Sequence, residues 1–298
     1  MIHLVSGATE GYPWTEAYWA SVQRHLPPIP NLFNFEGATA RAEGHTVRTR
    51  MFRITDVLKF ENDIERPKNR CKSLQTGEFL KRLKPLEDRD IIIFTDADMV
   101  MQRPFERREI EEFVFCTEPD TVWLAVNGEP GDTLRHEAEL LEPDVEDWIV
   151  DKLFPGWREI PVWNCGVIVA RAATYARLRD MALALMPAAE TCFRHYAVIQ
   201  WVICYCVGRW LKHALLPRTI HAHGHFGLPK DCGWDADGNV MVRESTVQGV
   251  WSAGKETMAV FRHALNLTPT KGEMPPAKVI STEANEERSL TAERAEKK

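Results

Sequence analysis

The chain reads as an α/β protein. Residues 2–5 form a strand-like run, followed by a loop at Gly7-Ala8-Thr9-Glu10-Gly11 and a helix over 14–25 that Pro27-Pro28 stops. Ile91-Ile92-Ile93-Phe94 is a short apolar run of mostly β-branched residues, the composition of a strand buried on both faces. Strand-like and helix-like segments continue behind it. At 298 residues and 44% hydrophobic content, the chain can bury a full core as one large α/β domain, with or without an appendage.

The remaining elements follow in order. Residues 46–54 alternate as a strand, whereas the rest of 31–66 has no clear period. Residues 68–83 read as a helix, with Cys71, Leu74, Phe79, Leu80 and Leu83 approximating one apolar face. Residues 121–126 form a candidate strand, and 144–154 a helix opened by Pro143. Another strand spans 162–170, with a helix behind it through residue 186. Residues 197–207 are apolar nearly all round, as in a helix or strand within the core. There Cys204 and Cys206 read as core residues, and Trp201 and Tyr205, at helical spacing, as packing rather than a sugar platform. From about residue 266 the composition turns to Pro, Thr, Glu, Lys and Ala, so 266–298 is expected to be a mobile or peripheral tail.

Composition excludes several classes. A net charge of −6 indicates no general affinity for nucleic acid or anionic membranes, although Arg66, Lys68, Arg70 and Lys72 form a local basic cluster. The seven cysteines are odd in number and include no CxxC pair, which favours a reduced, intracellular compartment. No basic stretch followed by an apolar signal run opens the chain, and no run approaches the roughly 18 apolar residues of a membrane span. A cytoplasmic location is expected. Asn266-Leu267-Thr268 is then a chance match to the N-glycosylation pattern.

The most informative residues are Thr95-Asp96-Ala97-Asp98, where the apolar run ends. Alternation in extended chain points Asp96 and Asp98 to the same side, so their oxygens can converge on one hard cation, Mn²⁺ or Mg²⁺. Ligands in open α/β sheets bind beyond the carboxyl ends of strands, where this pair falls. Asp235-Ala236-Asp237 serves as an internal control. It runs through Gly238 into Val240-Met241-Val242 and reads as a tight turn entering a strand. His221, His223 and His225 alternate and in a straight strand would share a face, as a three-histidine zinc site requires. Gly224 argues for a bent loop instead, which favours one histidine joining the two aspartates, His221 first and His223 second.

Four segments in this order, Ser6 to Tyr12, Asp96 to Asp98, Trp163 to Val169 and Ile220 to His225, resemble GT-A nucleotide-sugar glycosyltransferases. The likeness is nearest to the retaining family that includes glycogenin and the bacterial lipopolysaccharide galactosyltransferases, and it covers residues 2 to 230. It implies a GT-A fold over residues 1–265, with a mixed central sheet flanked by helices. Tyr12, beside Ala8 and Thr9, matches the tyrosine that stacks on uracil. Asp96-Ala97-Asp98 matches the D-x-D that binds Mn²⁺ and the diphosphosugar, and Asn164-Cys165-Gly166-Val167 the strand lining donor sugar and acceptor. Gln200 matches the glutamine of a D-Q pair beside the anomeric carbon, with Ile199 in place of the acid. His221 and Gly224 match an H-x-x-G segment that supplies the third protein ligand to the metal. Gly227 stands where that segment has lysine, and Lys230 follows three residues later. Lys72, Arg70 and Lys230 are candidate phosphate contacts.

The resemblance therefore implies a metal-dependent transferase that moves a sugar from a nucleotide donor, expected to be UDP-linked, to a hydroxyl acceptor, with retention. Two rivals stand beside it: a nucleotidyltransferase on a related fold, and a noncatalytic nucleotide-sugar binding protein. The first would want a basic, Gly-rich phosphate loop after the first strand, and residues 7–11 hold no Lys or Arg. Asn164 also reads as a strand-end residue capping a turn, and Trp163 as core packing.

Overall fold

A computed structural model describes residues 2–8, 15–25, 37–42, 45–53, 86–96, 98–127, 131–193, 197–222, 232–235, 237, 239–243 and 256–263. The chain opens with β1 (Ile2–Ala8) and α1 (Thr15–His25), then β2 (Gly37–Ala42), β3 (His45–Arg53), β4 (Ile91–Asp96) and β5 (Met99–Met101). Next come α2 (Arg107–Cys116), β6 (Thr121–Val126), α3 (Leu134–Leu141), α4 (Asp147–Leu153), a 3₁₀ turn at Trp157–Glu159, β7 (Trp163–Arg171), α5 (Ala172–Cys192) and α6 (Val198–Trp210). Six short strands follow: β8 (Lys212–Leu215), β9 (His221–Ala222), β10 (Cys232–Trp234), β11 (Val240–Arg243), β12 (Glu256–Met258) and β13 (Phe261–His263).

The main sheet is mixed, as expected, with seven strands in the order β2-β3-β1-β4-β7-β6-β8. β1 runs parallel to both β3 and β4, β7 is antiparallel to β4 and β6, and β8 is parallel to β6. Strand alternation divides β4 between two cores. Ile91 and Ile93 pack with Tyr18 and Val22 of α1 and Ile110 and Phe113 of α2. Ile92 and Phe94 pack on the other face with Tyr175 and Leu178 of α5 and Val202 and Cys206 of α6. Isoleucine on both faces is thus what a central strand needs, each such side chain contributing about 1.5–3 kcal/mol when buried.

Residues 197–207 resolve as a helix. Its Trp201 and Tyr205 are buried and stack on each other at 5.8 Å, and Phe154 meets both rings edge-on, so they are core, as read from the sequence. Cys204 and Cys206 are likewise buried. The helix expected over 144–154 begins only at Asp147, because Glu142 to Val145 form turns closed by the Val145 N–H to the Glu142 carbonyl at 3.1 Å. The helix expected through residue 186 runs on to Cys192, across Pro187. The expected helix over 68–83 and the tail from 266 lie outside the described residues. Among those described, no helix is long and apolar enough to cross a membrane.

The described residues also form two small three-stranded sheets, β10-β11-β12 and β5-β13-β9. Gln102, just past β5, joins them: its Nε2 donates to the Ala259 carbonyl at 2.9 Å and its Oε1 accepts from the Val240 N–H at 2.7 Å. Arg103 donates to the carbonyls of Met258 and Thr219 and forms a paired salt bridge with Glu109 of α2. The chain following the paired aspartates is therefore anchored to the strand that carries His221.

Candidate functional site

The site begins at the carboxyl edge of the main sheet. Parallel register sets Ser6 opposite Thr95 and Gly7 opposite Asp96, so β1 and β4 end side by side and Ala8 lies one residue beyond. Thr95 belongs to the face covered by α1, where its Oγ1 lies 2.6 Å from the Tyr18 hydroxyl. Alternation turns Asp96 to the opposite face. There its charge acts on the phenol of Tyr175 and on the thiol of Cys165, both of which burial already raises above their ordinary pKa.

Extended alternation does not carry through to Asp98. β4 ends at Asp96, Asp98 lies in a turn, and the chain enters β5 of a different sheet at Met99. The turn makes Asp98 buried while Asp96 is half-buried, so the carboxylates occupy unlike surroundings one residue apart. Two adjacent carboxylates at a sheet edge suit a hard divalent cation. Among the described residues no cluster of three or more His, Cys, Asp or Glu side chains would hold a metal ion.

The segment Asn164-Cys165-Gly166-Val167 comes to the same edge. Leu124 of β6 pairs with Ile168 of β7, but the next residue, Ala125, pairs with Asn164, so Cys165, Gly166 and Val167 have no partner in the β6 register. On its other side β7 still pairs Val167 with Thr95. The result is a bulge beside the end of β4, a feature that re-aims backbone and side chains next to binding sites. Asn164 shapes it from within, its Oδ1 accepting the Gly166 N–H at 2.8 Å. Asn164 thus acts on the residues that follow it within the strand rather than capping the turn before it, at the place where a substrate-lining residue was expected. Trp163 is buried core.

Gln200, in the first turn of α6, reaches this bulge. Its Oε1 accepts the Cys165 N–H at 3.3 Å, and its Nε2 donates to Glu137 Oε1 at 3.2 Å. Glu137 is the residue that sequence reasoning missed. It lies in the first turn of α3, is 6% exposed, and with Asp96 is one of two carboxylates whose charge adds to the effects of burial and Cys204 on the Cys165 thiol. A Glu in a short helix with apolar neighbours at Leu134, Ala138 and Leu141 gives no local signal. Only the tertiary approach of α3 to α6 reveals it.

His221 is fully buried in β9. It pairs through Phe261 of β13 with Met101 of β5, and β9 runs parallel to β13 and so antiparallel to β5, back toward the end of β5 that adjoins Asp98. His223, Gly224, His225 and Lys230 lie outside the described residues, as do Thr9, Tyr12, Arg70, Lys72 and Ala97. Asp235 and Asp237 lie between the antiparallel strands β10 and β11, where Asp235 Oδ1 accepts the N–H groups of Asp237 and Asn239 at 2.9 and 2.8 Å. The pair is structural, as its turn chemistry predicts.

Segments far apart in sequence thus come to one end of the sheet: the end of β1, Asp96 at the end of β4 with Asp98 in the turn behind it, the bulge of β7, Gln200 of α6 and Glu137 of α3. No family model matches this chain, and no curated protein matches it.

Proposed function

We propose that the chain is a metal-dependent glycosyltransferase with a GT-A fold, moving a sugar from a nucleotide donor, UDP-linked, to a hydroxyl acceptor. The observation that supports this most is the meeting of Asp96 with the β7 bulge and Gln200, since the register sets Val167 opposite Thr95 and Gln200 bonds Cys165. A site for group transfer from a diphosphosugar needs acids for a cation beside polar groups for a sugar, and these are the two kinds of group gathered here.

Asp96 and Asp98 would hold Mn²⁺ or Mg²⁺, with His221, or His223 in its place, as the third protein ligand. Bound there, the ion supplies electrostatic stabilisation of the negative charge that develops on the departing nucleoside diphosphate. Around it the chain's own residues orient the donor. Asn164 holds the bulge in shape, and the Gln200 carboxamide presents a neutral donor and acceptor to the sugar. Ala8, Thr9 and Tyr12, with Ala97 between the acids, take the nucleotide end of the donor, and Lys72, Gly224 and Lys230 its phosphates. Retention of configuration is what the resemblance implies.

Calorimetry with Mn²⁺ and UDP tests the reading. Each should bind weakly alone and tighten the other by the same factor, as linkage requires. Mn²⁺-dependent release of free sugar and nucleoside diphosphate from a panel of nucleotide sugars would then identify the donor. Release of pyrophosphate from a nucleoside triphosphate would favour the nucleotidyltransferase. Stoichiometric zinc uncoupled from UDP would overturn the proposal in favour of a three-histidine site.

A further inference from the structure

A carboxamide can sit in its site two ways, and its neighbours decide which. At Gln200 one neighbour is a donor, the Cys165 N–H, and the other an acceptor, the Glu137 carboxylate. Only the carbonyl toward Cys165 and the amino group toward Glu137 satisfies both. The reverse orientation would set N–H against N–H and oxygen against oxygen. Glu137 itself is costly where it stands. It is buried on a helix whose Leu134, Ala138 and Leu141 enter the core, where an apolar side chain would pack without a desolvation penalty.

We propose that Glu137 is a positioning residue, which locks the Gln200 carboxamide against the β7 bulge so that the amide's second N–H serves as a fixed neutral donor to an oxygen of the transferred sugar. The relay Glu137–Gln200–Cys165 spans α3, α6 and β7, and so couples the helix above the site to the strand beside Asp96. The sugar contact rests on the glycosyltransferase reading, whereas the locking of the amide does not. The negative charge of Glu137 and Asp96 felt at the Cys165 thiol agrees with both carboxylates lying near the bulge.

Hydrogen exchange at the Cys165 amide, followed by NMR on the full chain, tests the lock without any assumption about activity. E137A removes the acceptor, and E137D withdraws it by one methylene while keeping the charge. Both should speed Cys165 exchange about tenfold, the effect of losing one hydrogen bond of ordinary strength. E137Q keeps an acceptor of the same length and should restore protection. The amides of Ile168 and Val169 should be unaffected in the variants, which establishes that β7 is intact. E137D keeps the experiment decisive should E137A not fold. Cys165 exchange unchanged in E137A and E137D, or as fast in E137Q as in E137A, would overturn the lock. With the donor identified, E137D should lower kcat about tenfold. Exchange altered as expected with kcat unchanged would overturn the sugar contact alone. A wild-type chain that turns over no donor would count against the glycosyltransferase reading while the exchange result still stands.

Discussion

The Tyr18 hydroxyl lies 2.6 Å from Thr95 Oγ1, so α1 is bonded to β4 at the residue before Asp96. Both residues are fully buried, and burial drives the Tyr18 phenol well above its ordinary pKa despite the hydrogen bond with Thr95. Tyr18→Phe would leave the Thr95 hydroxyl without this partner in a dry setting. It should cost about 1–3 kcal/mol of stability, read from urea unfolding midpoints. A loss within error would mean that the pair contributes nothing net.

At the opposite end of the same two strands, His3 Nε2 lies 3.1 Å from Asp90 Oδ2, with both residues buried. Burial raises the Asp90 pKa, but hydrogen bonds and positive charge, those of His3 among them, outweigh it and hold the carboxyl below its ordinary value. A depressed carboxylate stabilises the fold above its unfolded pKa, near 4, and loses that contribution as pH falls through its folded pKa. Stability measured at intervals from about pH 6 down to pH 2 should therefore decline in acid, and Asp90→Asn should flatten that decline. An identical acid dependence in the variant would assign it to other carboxylates.

How far the sequence discloses this molecule depends on the reach of each interaction. The run Ile91 to Phe94 announces a central strand because four consecutive apolar residues admit little else, and the turn at Asp235 follows from chemistry confined to five residues. The bulge at Cys165 to Val167 is different in kind. The motif Asn164 to Val167 marks the place, but its shape arises because β6 and β4 demand different registers of β7. Asp98 departs from alternation because β4 hands over to another sheet, a tertiary event that strand periodicity does not encode. Glu137 is further still from local signal, since its bond to Gln200 reaches across 63 residues.

Gly208 of α6 offers a contest between two effects. Alanine is the better helix former by about 1 kcal/mol, and the exposure of Gly208 would favour the exchange. A Cβ at Gly208, however, would meet Ile160 Cγ2 at 2.5 Å and Cγ1 at 3.1 Å, and Ile160 is itself buried in the core. Overpacking of this kind costs about 1–3 kcal/mol. Gly208→Ala should therefore destabilise by up to about 2 kcal/mol, and in combination with Ile160→Ala, which removes both γ carbons, it should cost less than the two single losses added together. A stabilised single variant would show that Ile160 moves aside freely.

Cysteine chemistry should separate surface from core. Cys116 is exposed and Cys232 intermediate, whereas Cys165, Cys192, Cys204 and Cys206 are buried. Burial pushes the Cys206 thiol up to about 12 and raises Cys165 and Cys192 as well. Since the thiolate is the reactive form, a brief iodoacetamide pulse at neutral pH should modify Cys116 ahead of all four buried thiols, which react only after unfolding. Peptide mapping by mass spectrometry decides it. Early labelling of Cys204 or Cys206 would mean that α6 opens far more readily than its packing implies.

The two acidic triplets provide the most direct test of the proposed chemistry, because they share residue types and differ in setting. Asp98 is buried in the turn after β4, next to the edge where β1, β4 and the β7 bulge meet. Asp237 is exposed in a hairpin loop, where its backbone N–H donates to Asp235. Asp98→Asn is isosteric, but it exchanges an anionic oxygen for a neutral amide at a hard-cation site. It should weaken Mn²⁺-dependent UDP binding by at least about tenfold, or about 1.4 kcal/mol, and abolish most of the coupling between metal and nucleotide. Asp237→Asn should leave both quantities unchanged, since that side chain faces water. Circular dichroism and thermal midpoints establish that each variant folds. If both substitutions weaken binding equally, the effect is one of overall charge, and the assignment of Asp98 as a ligand is wrong. If Asp98→Asn alone abolishes the coupling while the chain stays folded, the buried acid in the turn after β4 is the metal's anchor, and burial rather than motif distinguishes it from its counterpart.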